Sequence, residues 1–347
     1  MEQFDMQQQL LDVDNAQHLS ELDPQYKPLR QQANVQGGAL LIYKVLMNVA
    51  VFAVIFVVSF AEAFKLAFSG GLEGDLDSIM NTVTESMMGA MGWGYLLAVG
   101  AGWLILRLWK KNAFFKQEIY KPGEPMGVGS FIALVFLVFG CQLPAQLLTY
   151  GVEWVANLFG GSIVEVLEEN AVDMDNVSMW LYVCLAAPIT EELLFRGLVL
   201  RSLEPYGKKF AIAVSAVLFG LYHGNPIQTP YALLVGLILG YVAAEYNIVW
   251  AMVLHMMNNL LLSDTMTRLL ELLPYNAAET ISWVVLIFFF LAALIVLLLK
   301  WRTVAEKLRE ETVEKWQKKA FWGAPCVIIL CIMCALDIVL ICAMSFM

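Results

Sequence analysis

Charge is scarce in this sequence, and histidine is nearly absent. Of 347 residues only 15% are charged and three are histidine, while 60% are hydrophobic. Soluble globular domains carry about 25% charged and 45–50% apolar residues, so this composition excludes a soluble enzyme and implies a polytopic membrane protein. Strand signals are weak. The apolar runs are long and unbroken, which excludes a barrel and leaves membrane-spanning helices. Internal repeats and a long soluble domain are absent too. The six cysteines (Cys141, Cys184, Cys326, Cys331, Cys334 and Cys342) fall in apolar segments, and none stands in metal-ligand spacing near a histidine. They read as small buried residues. Cys342 lies too far from Met347 to form a C-terminal lipidation box. The first 37 residues are polar, Gln-rich and acidic, so no secretory signal peptide is expected there. They read as a flexible tail. A net charge of −10 argues against nucleic acid as a partner.

What is present is a series of apolar spans at about 39–68, 88–108, 128–150, 179–201, 210–223, 230–245, 249–263, 280–300 and 323–345. The expected fold is an all-α, polytopic transmembrane bundle of about 8–9 membrane helices around a polar intramembrane cavity. Lys and Arg cluster before the first span, after the second, after the fourth and after the eighth. The opposite loops are acidic and nearly free of them, apart from Arg268. By the positive-inside rule the N-terminus is cytosolic and the C-terminus is on the far side. The chain divides into the tail 1–37, N-terminal membrane helices 38–177, a core 178–263 and C-terminal helices 264–347. The last part includes a charged amphipathic helix 303–319, with Glu311–Lys315 and Glu314–Lys318 as i,i+4 pairs, expected on the cytosolic membrane surface.

Within the fourth span stands Pro-Ile-Thr-Glu-Glu-Leu-Leu-Phe-Arg, residues 188–196. Each such charge at a helix centre opposes insertion by about 2.5–3.5 kcal/mol. Pro188 loosens the helix just before Glu191. Glu192 and Arg196 are four apart, share a face and can pair, whereas Glu191 points about 100° away. One carboxylate is neutralised and the other is left to accept a proton. The plainer alternative is a structural ion-pair cluster. His18 lies in the tail, but His223 and His255 lie in spans. His255 and Asn259 share a face and can both donate toward one point, while Asn258 faces elsewhere and reads as a packing or capping residue. At 1.5 Å per residue, Glu191, His223 and His255 lie about 15, 20 and 9 Å from the cytosolic ends of their spans. The span ending at His223 is too short to cross a core of about 30 Å, so His223–Pro226 are expected to end inside the membrane profile, lining a wet pocket. Gly236 and Gly240 form a Gly-x-x-x-Gly packing motif on the next span. Together these groups suit hydrolysis by activated water. Glu191 takes a proton, His223 holds the water or shares the proton, and His255 with Asn259 stabilises an oxyanion. No Ser or Cys nucleophile is needed and no cofactor is implied. Zinc held by Glu and His is the lesser reading, because His-Glu-x-x-His is missing.

Ala187–Gly197, with its Glu-Glu-x-x-x-Arg, together with Phe219-x-x-x-His223 and His255-x-x-x-Asn259, resembles the motifs of the CAAX-processing and bacteriocin-processing membrane proteases, the CPBP or Abi family. The resemblance covers about 178–263, a quarter of the chain. It implies an intramembrane glutamic endopeptidase in which Glu191 activates water, His223 is its partner, His255 and Asn259 form the oxyanion site, and Glu192 and Arg196 support the geometry. It implies membrane-associated substrates: prenylated CaaX proteins, or peptides such as bacteriocins and signalling precursors. The host membrane would be a bacterial cell membrane, or the endoplasmic reticulum in a eukaryote. Two other classes are consistent with the residues. One is a non-proteolytic immunity factor or scaffold with a structural polar cluster. The other is a proton relay or transporter, which the lack of paired inverted halves disfavours.

Overall fold

The computed structural model describes residues 24–68, 76–113, 121–169, 174–310 and 312–346, and every regular element among them is helical. Helices suit this composition because in lipid each backbone N–H and C=O must be satisfied within its own segment. In chain order they are α1 (Tyr26–Phe68), α2 (Leu76–Ala113), α3 (Val128–Gly140), α4 (Gln142–Leu158) and the short α5 (Ile163–Glu169). Next come α6 (177–203), α7 (Lys208–Tyr222), α8 (Gln228–Glu245) and α9 (248–271). The chain ends with α10 (Tyr275–Glu310), α11 (Lys315–Trp322) and α12 (Pro325–Met344).

Among the described residues, five stretches are long and apolar enough to cross a membrane: Tyr26–Phe68, Asp77–Lys110, Val128–Leu158, Tyr275–Lys307 and Pro325–Met344. The protein is an integral membrane protein. These helices keep apolar side chains on the outside. Phe52, Phe56, Phe60 and Phe64 form an exposed i,i+4 stripe on α1, and Leu291, Leu294 and Leu298 are exposed on α10. A surface of this kind is suited to lipid rather than water. The other four expected spans form α6 to α9, which pack inside. All eight residues from Leu193 to Leu200 are buried. The Gly-x-x-x-Gly motif brings α8 onto α7. A Cβ on Gly236 would stand 3.1 Å from Phe219 Cδ1 and 3.2 Å from Ala216 Cα, and one on Gly240 would stand 3.1 Å from Ile212 Cγ2.

The charged clusters segregate to the two ends of α6. At its C-terminal end Arg201 pairs with Glu204 at 2.6 Å, Lys121 reaches Glu204 at 3.7 Å, and Lys208 and Lys307 meet Glu245 at 3.4 and 2.6 Å. At the other end Arg268 joins Asp175 at 2.6 Å and Asp264 at 2.7 Å.

Two boundaries differ from expectation. Residues 26–37 are not tail. They begin α1, with Tyr26, Leu29, Ala33, Gln36 and Gly37 buried, because Asn34 accepts from Cys326 N, Arg30 donates to the Gly323 carbonyl and Gly37 lies against the backbone of α12. The rest of the expected tail, 1–23, lies outside the described residues, as does Glu311 of the expected Glu311–Lys315 pair. Nor is 303–319 one surface helix. α10 runs through it to Glu310, and a new helix starts at Lys315 with Glu314 as N-cap in a capping box with Gln317. α11 docks instead of floating: Ala320 and Phe321 are buried, Phe321 packs edge-on to Phe210 at 6.1 Å, and Gln317 donates to the Tyr206 carbonyl at 2.5 Å.

Candidate active site

Three stretches of wide, π-type winding occur among the described residues, and all lie in α6 and α9: Tyr182–Ala186, Leu193–Leu200 and Asn258–Thr265. Such winding is frequent at functional sites. Here it brackets Glu191 and Glu192 on both sides and begins again at Asn258–Asn259. Pro188 supplies part of the cause. It has no N–H to donate one turn back, and the turn before it is the widened one.

The two adjacent glutamates have opposite surroundings. Glu192 is fully buried, and Arg196, itself fully buried, sits 3.0 Å from its Oε1. The same oxygen is 2.9 Å from His255 Nδ1. The pairing expected between Glu192 and Arg196 is therefore present, and Glu192 also anchors His255. Arg196 is further fixed by donating to the Gly236 carbonyl at 3.2 Å and by lying 4.4 Å over the Phe219 ring. Glu191 retains 23% side-chain exposure and lines a cavity of about 440 Å³, with Oε2 3.7 Å from His255 Nε2. His255 thus bridges the two carboxylates, one per ring nitrogen.

His223, His255 and Asn259 line the same cavity as Glu191. His223 ends α7 where the chain turns at Gly224, whose φ of +61° favours glycine. Its Nδ1 is 2.7 Å from the Phe219 carbonyl. A carbonyl only accepts, so Nδ1 carries the proton and Nε2 offers its lone pair to the cavity. Phe219 meets both histidine rings edge-on, at 4.8 Å from His223 and 5.6 Å from His255. Asn259 uses one N–H on the Val183 carbonyl at 2.9 Å, leaving the second for the cavity.

Several residues at or beside the cavity were not given a part in the chemistry by the sequence. Asn258, read there as packing or capping, lines the cavity and accepts from the Tyr231 hydroxyl at 2.6 Å, and that hydroxyl accepts from Gln142 at 2.9 Å. Trp103 of α2 donates to Thr190, next to Glu191, at 2.8 Å. Lys44 of α1 also lines the cavity, paired with Asp337 of α12. A lone charge within an apolar stretch was the available signal for Lys44 and Asp337. Among the described residues no group of three or more His, Cys, Asp or Glu is placed to hold a metal ion.

No curated protein and no solved structure matches the chain. Residues 173–261 match the family model described as type II CAAX prenyl endopeptidase Rce1-like, and these residues contain Glu191, Glu192, Arg196, His223, His255 and Asn259. Through this segment the chain carries an Rce1-like domain, in keeping with the CPBP family to which its motifs were likened.

Proposed function

We propose that the protein is an intramembrane endopeptidase of the CAAX-processing type, hydrolysing a peptide bond in a prenylated, membrane-associated protein or peptide with a water activated by Glu191. The observation that carries this reading is the division between the glutamates. Glu192 is consumed by Arg196 and His255, and Glu191 faces a cavity that His223, His255 and Asn259 also line. The match of residues 173–261 supports the reaction class.

In the reaction, a water in the cavity attacks the scissile carbonyl carbon. Glu191 takes its proton, and the lone pair on His223 Nε2 orients the same water. The C=O bond becomes a C–O⁻ in the tetrahedral intermediate. The remaining N–H of Asn259 and the Nε2 edge of His255 face that charge. Donors fixed in advance are worth more than ones that must reorient. As the intermediate collapses the C–N bond breaks, and the proton on Glu191 passes to the leaving nitrogen. Entry is from the cytosolic face, taken as the end of the bundle where the Lys and Arg clusters gather.

The test is cleavage of a farnesylated peptide by the purified full-length protein in liposomes. Glu191→Ala should lower the rate by about 10²–10⁴-fold, the usual worth of a general base, with an unchanged melting temperature in detergent. A Glu191→Ala protein that cleaves at the wild-type rate ends the proposal. One that melts early, with no cleavage detectable even in wild type, favours the scaffold reading.

A further inference from the structure

Asn259 can serve an oxyanion only if its amide stands one way round, with an N–H toward the cavity and the carbonyl away from it. The two ends of that amide have different neighbours. Nδ2 donates to the Val183 carbonyl at 2.9 Å, and Oδ1 accepts from Asn258 Nδ2 at 3.3 Å. The Val183 carbonyl is available for a reason that lies in the backbone. In an α-helix it would take the N–H of Ala187, but in the widened turn that N–H goes to the Tyr182 carbonyl. Five positions on from Val183, where wide winding would place its donor, stands Pro188, which has no N–H. Its acceptor is thus left for a side chain.

Asn258 is held from the other side. Its Oδ1 accepts from the Tyr231 hydroxyl at 2.6 Å, and that hydroxyl accepts from Gln142 Nε2 at 2.9 Å. The hydroxyl has one proton, and it goes to Asn258. The row of donors therefore has one direction, from Gln142 of α4 through Tyr231 of α8 and the two asparagines of α9 to Val183 of α6. Turning Asn258 over would set its oxygen against that of Asn259. Turning Asn259 over would set its oxygen against the Val183 carbonyl. Gln142, where the row begins, lies outside the matched segment 173–261.

We propose that Tyr231 is a positioning residue for the oxyanion site: aligned by Gln142 and acting through Asn258, it holds Asn259 with its free N–H in the cavity. Tyr231 lines the cavity too, but its proton is committed to Asn258, so it works through the asparagines and not on the substrate. The effect on rate rests on the endopeptidase reading; the orientation of the amide does not. Tyr231→Phe keeps the ring and removes only the hydroxyl. Asn258 then loses the donor that holds its oxygen, and Asn259 loses the fixed N–H that holds its own oxygen away from the cavity.

The experiment uses full-length protein and the farnesylated peptide in liposomes. Removing one oxyanion donor costs about 10²–10³ in kcat, so Asn259→Ala should fall in that range and Tyr231→Phe, which misaligns the donor, should lower kcat by about tenfold. KM and the melting temperature of Tyr231→Phe should stay close to wild type. Added to Asn259→Ala, Tyr231→Phe should slow cleavage no further, because the group it positions is gone. If Tyr231 is only a strut between α8 and α9, it slows the Asn259→Ala protein by the same factor as wild type, and the proposal is overturned. An unchanged kcat in Tyr231→Phe overturns it as well. A second readout needs no turnover. In protein labelled with nitrogen-15 at asparagine, the side-chain amide signal lost in Asn259→Ala belongs to Asn259, and Tyr231→Phe should shift it. A signal that does not move overturns the proposal whatever the cleavage assay gives. A signal that moves in a protein whose wild type cleaves nothing leaves the alignment of Asn259 standing and sinks the endopeptidase reading.

Discussion

The outer helices and the inner helices of this bundle solve opposite problems with the same secondary structure. α1, α2, α10 and α12 are long, regular and apolar, and much of their side-chain surface faces outward. α6 to α9 are broken by π-type winding, by the turn at Gly224 and by Pro188, and they bury Glu192, Arg196, His255 and Asn258. Regular helices need nothing beyond lipid around them. Irregular backbone and buried charge persist at depth only when other protein groups satisfy them. In this protein the helices around the core do supply such groups: Trp103 of α2 to Thr190, Gln142 of α4 to Tyr231, and Lys44 of α1 to the Tyr222 carbonyl.

The largest break in the comparison comes from Glu192. Glu192→Ala leaves Arg196 fully buried without its ion-pair partner, held by the Gly236 carbonyl and the Phe219 ring, and it releases His255 from its Nδ1 anchor. Stranding one member of a buried ion pair costs about 3–5 kcal/mol. The melting temperature in detergent should fall sharply and cleavage should be lost with it, in contrast to Glu191→Ala, which should lose cleavage alone. If the Glu192→Ala protein melts as wild type does, the inner helices are not held by this pair and the division of labour between the two glutamates fails.

A smaller effect is expected at the glycines. A Cβ at Gly236 meets the Ala216 backbone at 3.2 Å and Phe219 at 3.1 Å, and Phe219 is the ring against which both histidines and Arg196 rest. Overpacking of this kind costs typically 1–3 kcal/mol, and here it also shifts the histidines. At Gly240 the nearest atom is the Ile212 side-chain methyl at 3.1 Å, which can turn aside. Gly236→Ala should therefore slow cleavage clearly more than Gly240→Ala in parallel assays. Equal effects at the two positions would mean that α7–α8 spacing, and not the Phe219 ring, is what the site feels.

Much of the inner region was legible in the sequence because charge and histidine are so rare in it. Glu191, Glu192, Arg196, His223, His255 and Asn259 stand out against apolar neighbours, and helical spacing alone separates Glu191 from the Glu192–Arg196 face. The His255–Glu192 bond was not legible, since it joins α9 to α6 across 63 residues and depends on winding that no propensity specifies. The same holds for Tyr231 and Asn258. Tyrosine and asparagine in an apolar span carry no sign that distinguishes packing from lining a cavity. The start of α1 was misread because its polar residues suggest a solvated tail. The partners that order it, Gly323 and Cys326, lie almost 300 positions away along the chain. Lys44 and Asp337 were legible in principle, as lone opposite charges in two apolar helices, but nothing local says that α1 and α12 are neighbours.

The smallest effect should come from the outer shell, and it tests whether that shell is only a solvent boundary. Phe52, Phe56, Phe60 and Phe64 are between 55% and 73% exposed and line one face of α1. Replacing all four by Leu keeps the face apolar and removes no buried contact. Surface substitutions away from special features usually stay within about 0.5 kcal/mol each, so melting temperature and cleavage of the farnesylated peptide should both stay close to wild type. A single Phe56→Glu, by contrast, places a charge against lipid and should impair insertion by about 2.5–3.5 kcal/mol on insertion scales. If the four-Leu protein inserts and melts normally but cleaves slowly, the aromatic stripe takes part in delivering substrate. The separation between a passive outer shell and a working interior would then hold for α10 but not for α1.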